Sequence, residues 1–339
     1  MEMKEGMLRE EVQHFNRKLS GVIEEKMQGC SNKILYDALN YIRDTGGKRL
    51  RPIICLLSTE AVGGSRDKAL YTAVAIELLH NASLVHDDII DENYIRRKNP
   101  SNPARYGEKK AIVIGDFLFG LSCEMLARCG VPEVVGLVSS AVSDIAMGQY
   151  LEFTLRLRSL QEVTEQSYME VAALKTASIF MASTEAGAML GCGNEAEIEN
   201  LRNYGKNLGL AFQIQDDVLD ICGDPVKTGK PVGLDIKNGE RTIHLIHALN
   251  HVNTSEKEYL IEILSRESIG SSDIDRVRGI FINSGSINYA IRLSNDLVWD
   301  AKKCIEGLED SEAKGKLEYI ADFAAKRIEN QALAAFIQR

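Results

Sequence analysis

The chain has 339 residues, 45% hydrophobic and 26% charged, with a formal net charge of −9. That balance excludes a nucleic-acid binder, which needs a basic face against phosphate. The seven cysteines, odd in number and without a Cys-x-x-Cys pair, argue against a disulfide framework or zinc site and for a reducing, cytoplasmic setting.

Apolar content is sufficient for a sizeable core, and without a linker or composition shift the chain reads as one domain over 1–339. The first nine residues are charged and lack an apolar centre, so they do not read as a signal peptide; no apolar run looks long and charge-free enough to span a bilayer. Prolines are absent from 133–224 and 232–339, and both windows carry apolar residues at helical spacing. An all-α protein of long helices is expected.

In chain order, helices are predicted over 8–27 and 32–43. Gly46-Gly47-Lys48-Arg49-Leu50-Arg51-Pro52 follows. The glycines break the helix, Pro52 suits the start of the next one, and the cations beside that start suit an anion such as phosphate. The next helix, 67–91, ends in Asp87-Asp88-Ile89-Ile90-Asp91. On a helix Asp91 lies about 40° round from Asp87 and roughly 6 Å further along, with His80 close to the same face. Such a cluster of anionic oxygens needs a cation. Arg96 and Arg97 come next, as salt-bridge partners or phosphate ligands.

Long apolar helices are predicted over 104–129 and 134–158, the second carrying Asp144, Gln149 and Glu152. The 164–190 segment sets Lys175-Thr176 within an apolar stretch, where the lysine either snorkels to water or meets an anion. The 196–221 segment ends in a second cluster, Phe212-Gln213-Ile214-Gln215-Asp216-Asp217-Val218-Leu219-Asp220. Two such clusters on core-facing helices would make a cage for hard divalent cations. The Gly/Pro-rich stretch 223–235, with Lys227 and Lys230, reads as a lid. Ser255 with Glu258 and Ser272 with Asp275 read as capping boxes, and 312–336 as a last, structural helix.

These motifs, in this order, resemble the trans-isoprenyl diphosphate synthases (polyprenyl synthetases) over nearly the whole length. The resemblance implies an isoprenoid-synthase-like bundle of long antiparallel helices around a central cavity, usually a homodimer. It implies three Mg²⁺ ions per active site and two substrates, isopentenyl diphosphate and an allylic diphosphate. Asp87, Asp91 and Asp216 are then expected as direct metal ligands, with Asp88, Asp217 and Asp220 as ligands or supporting groups. Arg96, Lys175 and Lys230 would hold the allylic diphosphate, with Thr176, Phe212 and Gln213 near the reacting carbons. Lys48, Arg51, His80 and Arg97 would hold isopentenyl diphosphate. In the family an aromatic residue at the position of Ala82 or Ser83 commonly ends chain growth at farnesyl or geranylgeranyl. Both are small here, and Ile76 lies deeper, so a product longer than geranylgeranyl diphosphate is expected.

The chain departs from the family pattern twice: Lys98 stands where a glycine is usual, and Glu240 where a diphosphate-binding lysine is usual. A class I terpene cyclase and a non-catalytic subunit of a synthase heteromer are the rival readings. The first normally has a different second metal motif, and the second normally has degraded acidic clusters.

Overall fold

The computed structural model describes residues 2–28, 33–223, 232–266 and 268–326. The protein is all-α, as expected, apart from one short hairpin among the described residues. The helices are α1 (Glu2–Met27), α2 (Lys33–Asp44), α3 (Leu50–Ala61), α4 (Arg66–Ile90), α5 (Asn102–Tyr106), α6 (Glu108–Ala127), α7 (Pro132–Leu157), α8 (Glu165–Ala172), α9 (Ser178–Leu190) and α10 (Glu195–Cys222). Beyond them come α11 (Leu234–Lys237), α12 (Ile243–His251), α13 (Thr254–Ile263), α14 (Ser271–Asn283), α15 (Ser286–Cys304) and α16 (Glu312–Ala325). By Cα proximity the chain divides into two compact units, Met1–Val142 with Ala182–Arg202 and Gly307–Ile320, and Ser143–Met181 with Asn203–Glu306 and Ala321–Arg339.

In the first unit α4 packs against α3 and α6. Its residues from Ala73 to Leu79 are almost wholly buried, Glu77 included. Glu77 is tolerable there because Arg49, buried at the start of α3, donates Nη1 to its Oε1 at 2.5 Å. Removing one partner of such a pair costs about 3–5 kcal/mol, because the other is left charged and dry. Small residues allow the close approaches. A Cβ on Gly115 of α6 would sit 2.2 Å from the His86 ring, and one on Gly187 of α9 would sit 2.2 Å from the Cys55 carbonyl oxygen.

The hairpin pairs β1 (Ile95–Arg96) with β2 (Asn99–Pro100). Its two-residue turn puts Arg97 at φ 52° and Lys98 at φ 66°. Both central residues of that turn need positive φ, which explains the glycine usual at 98; lysine pays about 1 kcal/mol or more there.

The second unit has its core around Tyr168, Ile214, Val218, Ile243 and Phe281, with α12 packed on α15. Between α8 and α9 the chain forms one π-helical turn, Ala173–Ala177, which helical spacing alone did not predict. Such turns insert a residue into the ladder and re-aim neighbouring side chains.

Several expectations need correction. The predicted 104–129 helix breaks at Gly107, φ 82°, into α5 and α6. The expected capping boxes are absent: α13 is capped by Asn253, and α14 begins after Gly270 without a side-chain cap. A capping box does occur at Thr164 and Ser167. By length and composition α7 is long and apolar enough to cross a membrane, contrary to the sequence reading; only 22% of its most apolar window is buried.

Candidate active site

In the first unit the acidic segment closes α4, and its three carboxylates have different environments. Asp88 is 1% exposed and accepts both Nε and Nη2 of Arg96 at 2.8 Å, together with Asn93 Nδ2 at 3.0 Å. Asp87 is half-buried, and Asp91, the C-cap residue, is exposed. The helix thus buries and anchors its middle carboxylate and leaves the outer two more accessible.

The basic segment lies in the same unit. Arg51 Nη1 is 3.2 Å from His80 Nε2. Burial, then the charges of Arg51, Arg97, Arg96 and Arg49, hold His80 well below its ordinary pKa. It is therefore neutral near pH 7, and its lone pair accepts from the guanidinium and orients it. Arg97 donates Nη1 to the Gly46 carbonyl. Gly47 has a φ of 142°, which favours glycine; a Cβ there would lie 2.8 Å from that guanidinium, the movable end of the Arg97 side chain. Lys48 is exposed beside them.

In the second unit the pattern recurs at the end of α10. Asp217 is 5% exposed and accepts from Tyr168 Oη at 2.7 Å and from Gln213 Nε2 at 2.7 Å. Burial pushes its carboxyl up to about 7, against the two hydrogen bonds and with the help of the Asp216 and Asp220 charges. Asp220 accepts the backbone N–H groups of Leu234 at 3.2 Å and Asp235 at 3.0 Å, and so caps α11. Asp216 is exposed. Thr176 donates to Gln213 Oε1 at 2.6 Å, and Phe212 packs against Phe180 with ring centroids 5.6 Å apart.

Lys175 sits on the π-helical turn, and glycines admit that turn. A Cβ on Gly148 of α7 would lie 2.4 Å from the Lys175 nitrogen, and one on Gly209 of α10 would lie 2.6 Å from Ala177 Cα. Lys175 Nζ donates to Glu152 Oε2 at 2.7 Å. Glu152 also accepts from Arg156, which in turn holds Glu240 through Nε at 3.0 Å and through Nη2.

The structure thus brings together Asp87, Asp88, Asp91 and Arg96, then Lys48, Arg51, His80 and Arg97, and, in the second unit, Lys175, Thr176, Phe212, Gln213, Asp216, Asp217 and Asp220. Lys230 and most of the expected lid lie outside the described residues. Among the described residues no three His, Cys, Asp or Glu side chains converge into a ready-made metal site. The accessible donors, Asp87, Asp91 and Asp216, are hard carboxylate oxygens, which fits Mg²⁺. Sequence reasoning missed Arg49, Arg156 and Tyr168. The i,i+4 spacing of Glu152 and Arg156 was the one local signal available for Arg156; nothing in sequence ties Tyr168 to Asp217.

The polyprenyl synthetase family model matches residues 32–280. A protein called short chain isoprenyl diphosphate synthase from Methanothermobacter thermautotrophicus is 40% identical, over 94% of this chain and 99% of that protein. The octaprenyl diphosphate synthase of Escherichia coli is 33% identical, over 85% and 88% of the two chains. The crystal structure of geranylgeranyl pyrophosphate synthetase from Pyrococcus horikoshii superposes with a TM-score of 0.87 at 36% identity, covering 96% of this chain and 99% of that one.

Proposed function

The chain belongs to the polyprenyl synthetase family and is a trans-prenyltransferase, and from that premise we propose that it condenses isopentenyl diphosphate with an allylic diphosphate, head to tail, in a Mg²⁺-dependent reaction. One observation carries this reading. Each acidic segment buries and hydrogen-bonds its second aspartate, Asp88 or Asp217, and leaves its first, Asp87 or Asp216, accessible. That is the pattern expected where carboxylates are held ready for a cation.

Asp87, Asp91 and Asp216 would hold the Mg²⁺ ions, whose charge favours departure of diphosphate from the allylic carbon. Asp88, Asp217 and Asp220 keep the flanking backbone in place. Arg96, Lys175 and Lys230 bind the allylic diphosphate, with Thr176, Phe212 and Gln213 near the reacting carbons. Lys48, Arg51, His80 and Arg97 bind isopentenyl diphosphate, and neutral His80 fixes the Arg51 guanidinium. The allylic C1–O bond breaks, the isopentenyl double bond attacks C1, and a proton leaves C2 of the isopentenyl unit for the released diphosphate. No side chain is assigned as base.

The product is proposed to exceed geranylgeranyl diphosphate, between geranylfarnesyl and about octaprenyl, because Ala82 and Ser83 present no bulk from α4. The octaprenyl name of the Escherichia coli relative supports this length; the names of the Methanothermobacter and Pyrococcus relatives favour a shorter product. A homodimer is proposed as well, supported by exposed apolar side chains on α6 (Ile112, Val113) and α7 (Met147, Tyr150, Leu157). A cytoplasmic setting is supported by the six described cysteines, all free.

The deciding assay supplies isopentenyl diphosphate with farnesyl or geranylgeranyl diphosphate and Mg²⁺. A prenyl diphosphate should form, disappear with chelator and return with Mg²⁺, and Asp87→Ala and Asp216→Ala should each lower turnover by several orders of magnitude. Formation of a cyclised hydrocarbon, or normal turnover in Asp216→Ala, would overturn the reading.

A further inference from the structure

Glu240 puts an acid where the diphosphate subsite wants a cation, yet the structure shows that it does not stand alone. Its two oxygens are gripped by the fork of Arg156, Nε to Oε2 at 3.0 Å and Nη2 to Oε1. The same Arg156 Nη2 reaches Glu152 Oε2 at 3.3 Å, the oxygen that also accepts from Lys175 Nζ at 2.7 Å. One carboxylate oxygen therefore takes hydrogen bonds from two cations, one on α7 and one on the π-helical turn. The side chains are mostly buried, with 22% exposure for Arg156, 24% for Lys175, 18% for Glu152 and 15% for Glu240. A bidentate fork of this kind fixes both distance and plane.

We propose that Arg156 supplies, from α7, the second cation beside Lys175 in the allylic-diphosphate subsite, and that Glu240 is the positioning residue that aims it. The proposal rests on the assignment of Lys175 to that diphosphate. An arriving diphosphate exchanges its oxygens for Glu152 Oε2 as the acceptor shared by Lys175 and Arg156 Nη2, while Glu240 keeps its hold on the Nε–Nη2 edge of the guanidinium.

The arrangement also carries a charge switch. Glu240 faces Glu152 and Arg156 on α7, Lys175 on the π-helical turn and Arg241 beside it in the chain. Burial, then the Glu152 charge, pushes the Glu240 carboxyl up to about 8, against the pull of Arg156 and Lys175. Where Glu240 is protonated, one of its oxygens carries the proton and only the other accepts well from Arg156, so the fork loosens while the subsite keeps more of its positive charge. Where it is ionised, both oxygens accept, and two carboxylates offset Arg156 and Lys175. Binding of the allylic diphosphate should therefore weaken as pH rises through about 8.

The test compares wild type, Arg156→Lys, Arg156→Ala and Glu240→Gln from pH 6.5 to 9.5. KM is measured for each substrate, and calorimetry follows binding of an unreactive allylic thiolodiphosphate. Arg156→Ala should raise the allylic KM and the analogue Kd about 10- to 100-fold, the range of a lost charge-assisted contact, with the isopentenyl KM unmoved. Arg156→Lys keeps the charge but loses the fork, and should fall between. In wild type the allylic KM should climb above pH 8, and in Glu240→Gln that climb should disappear. An unchanged analogue Kd in Arg156→Ala, equal rises in both substrates' KM, or an undiminished climb in Glu240→Gln would overturn the proposal. If wild type neither turns over nor binds the analogue, the function assigned above fails instead.

Discussion

The Tyr168 hydroxyl donates to Asp217 Oδ2 at 2.7 Å inside the second unit, and both side chains are buried. Tyr168 comes from α8 and Asp217 from α10, so one phenol ties the acidic segment to the helix that leads into the π-helical turn. The carboxylate has a second donor in Gln213, whose own carbonyl oxygen accepts from Thr176. Asp217, Gln213, Thr176 and Tyr168 therefore form one network under the accessible Asp216.

Tyr168→Phe removes one donor and leaves the ring in place. The loss of this buried hydrogen bond, which leaves a carboxyl oxygen of Asp217 without its partner, should destabilise the fold by about 1–3 kcal/mol. Turnover should fall as well, because Asp216 sits directly before the loosened Asp217. Denaturant midpoints and kcat on the same preparations check both, and a full-activity variant with unchanged midpoint would show that Gln213 alone suffices.

How much of this was legible in advance depends on the range of the interaction. Helix positions followed from apolar spacing and from where prolines and glycines fall, and most boundaries agree within a few residues. The acidic segments were legible because Asp87 and Asp91, one helical turn apart, share a face by local geometry. The sorting of each segment into buried and accessible carboxylates was not, since it depends on Arg96 folding back across the hairpin and on Tyr168 arriving from another helix. The π-helical turn was hidden for the same reason. It exists where Gly148 and Gly209, far apart in sequence from Lys175, allow backbone contact. Glu240 looked like a defect in the sequence because its partner Arg156 lies 84 positions away.

Gly148 gives a direct test of that packing. A methyl group there would stand 2.4 Å from the Lys175 nitrogen and 2.8 Å from its Cα, both backbone atoms that cannot swing aside. Gly148→Ala should cost about 1–3 kcal/mol of stability, typical of overpacking, despite the better helix propensity of alanine. The displaced turn carries Lys175 and Thr176, so the allylic KM should rise more than the isopentenyl KM. A variant as stable and active as wild type would mean that the turn relaxes freely.

His244 sets an acid limit on stability. It is fully buried on α12, its Nε2 lies 2.9 Å from Thr242 Oγ1, and its ring packs on Phe281 at 4.8 Å. Burial lowers its pKa from 6.5 to about 3. The unfolded chain therefore binds this proton more readily than the folded one. The contribution is fully present above about pH 6.5 and is lost as pH falls towards about 3, to a total on the order of a few kcal/mol. Midpoints of urea unfolding between pH 7 and 4 should decline in wild type, and His244→Phe should show a shallower decline. An identical pH slope in the two proteins would assign the acid loss to other groups.

The product length proposed above can be tested at Ala82. It lies on α4 five residues, about 1.4 turns, before Asp87 and is fully buried, while Ser83 is half-buried and donates its hydroxyl to the His80 carbonyl at 2.9 Å. Ile76, deeper on the same helix, and Leu79 are buried too, and in the proposed tail path they are the next bulk. Each methylene taken from water into an apolar channel is favourable by about 0.8 kcal/mol, so elongation continues until side chains block it. If the tail runs beside α4, the ring of Ala82→Phe fills the channel, product shortens, and stability changes little. If Ala82 instead packs against protein, the same ring overfills the core and costs about 1–3 kcal/mol without shortening the product. Chromatography of the dephosphorylated products, run beside a thermal denaturation of the same variant, separates the two cases. Wild-type product longer than geranylgeranyl and a shorter one from Ala82→Phe at nearly unchanged Tm is the expected result; a wild type that stops at geranylgeranyl would place the floor on some helix other than α4.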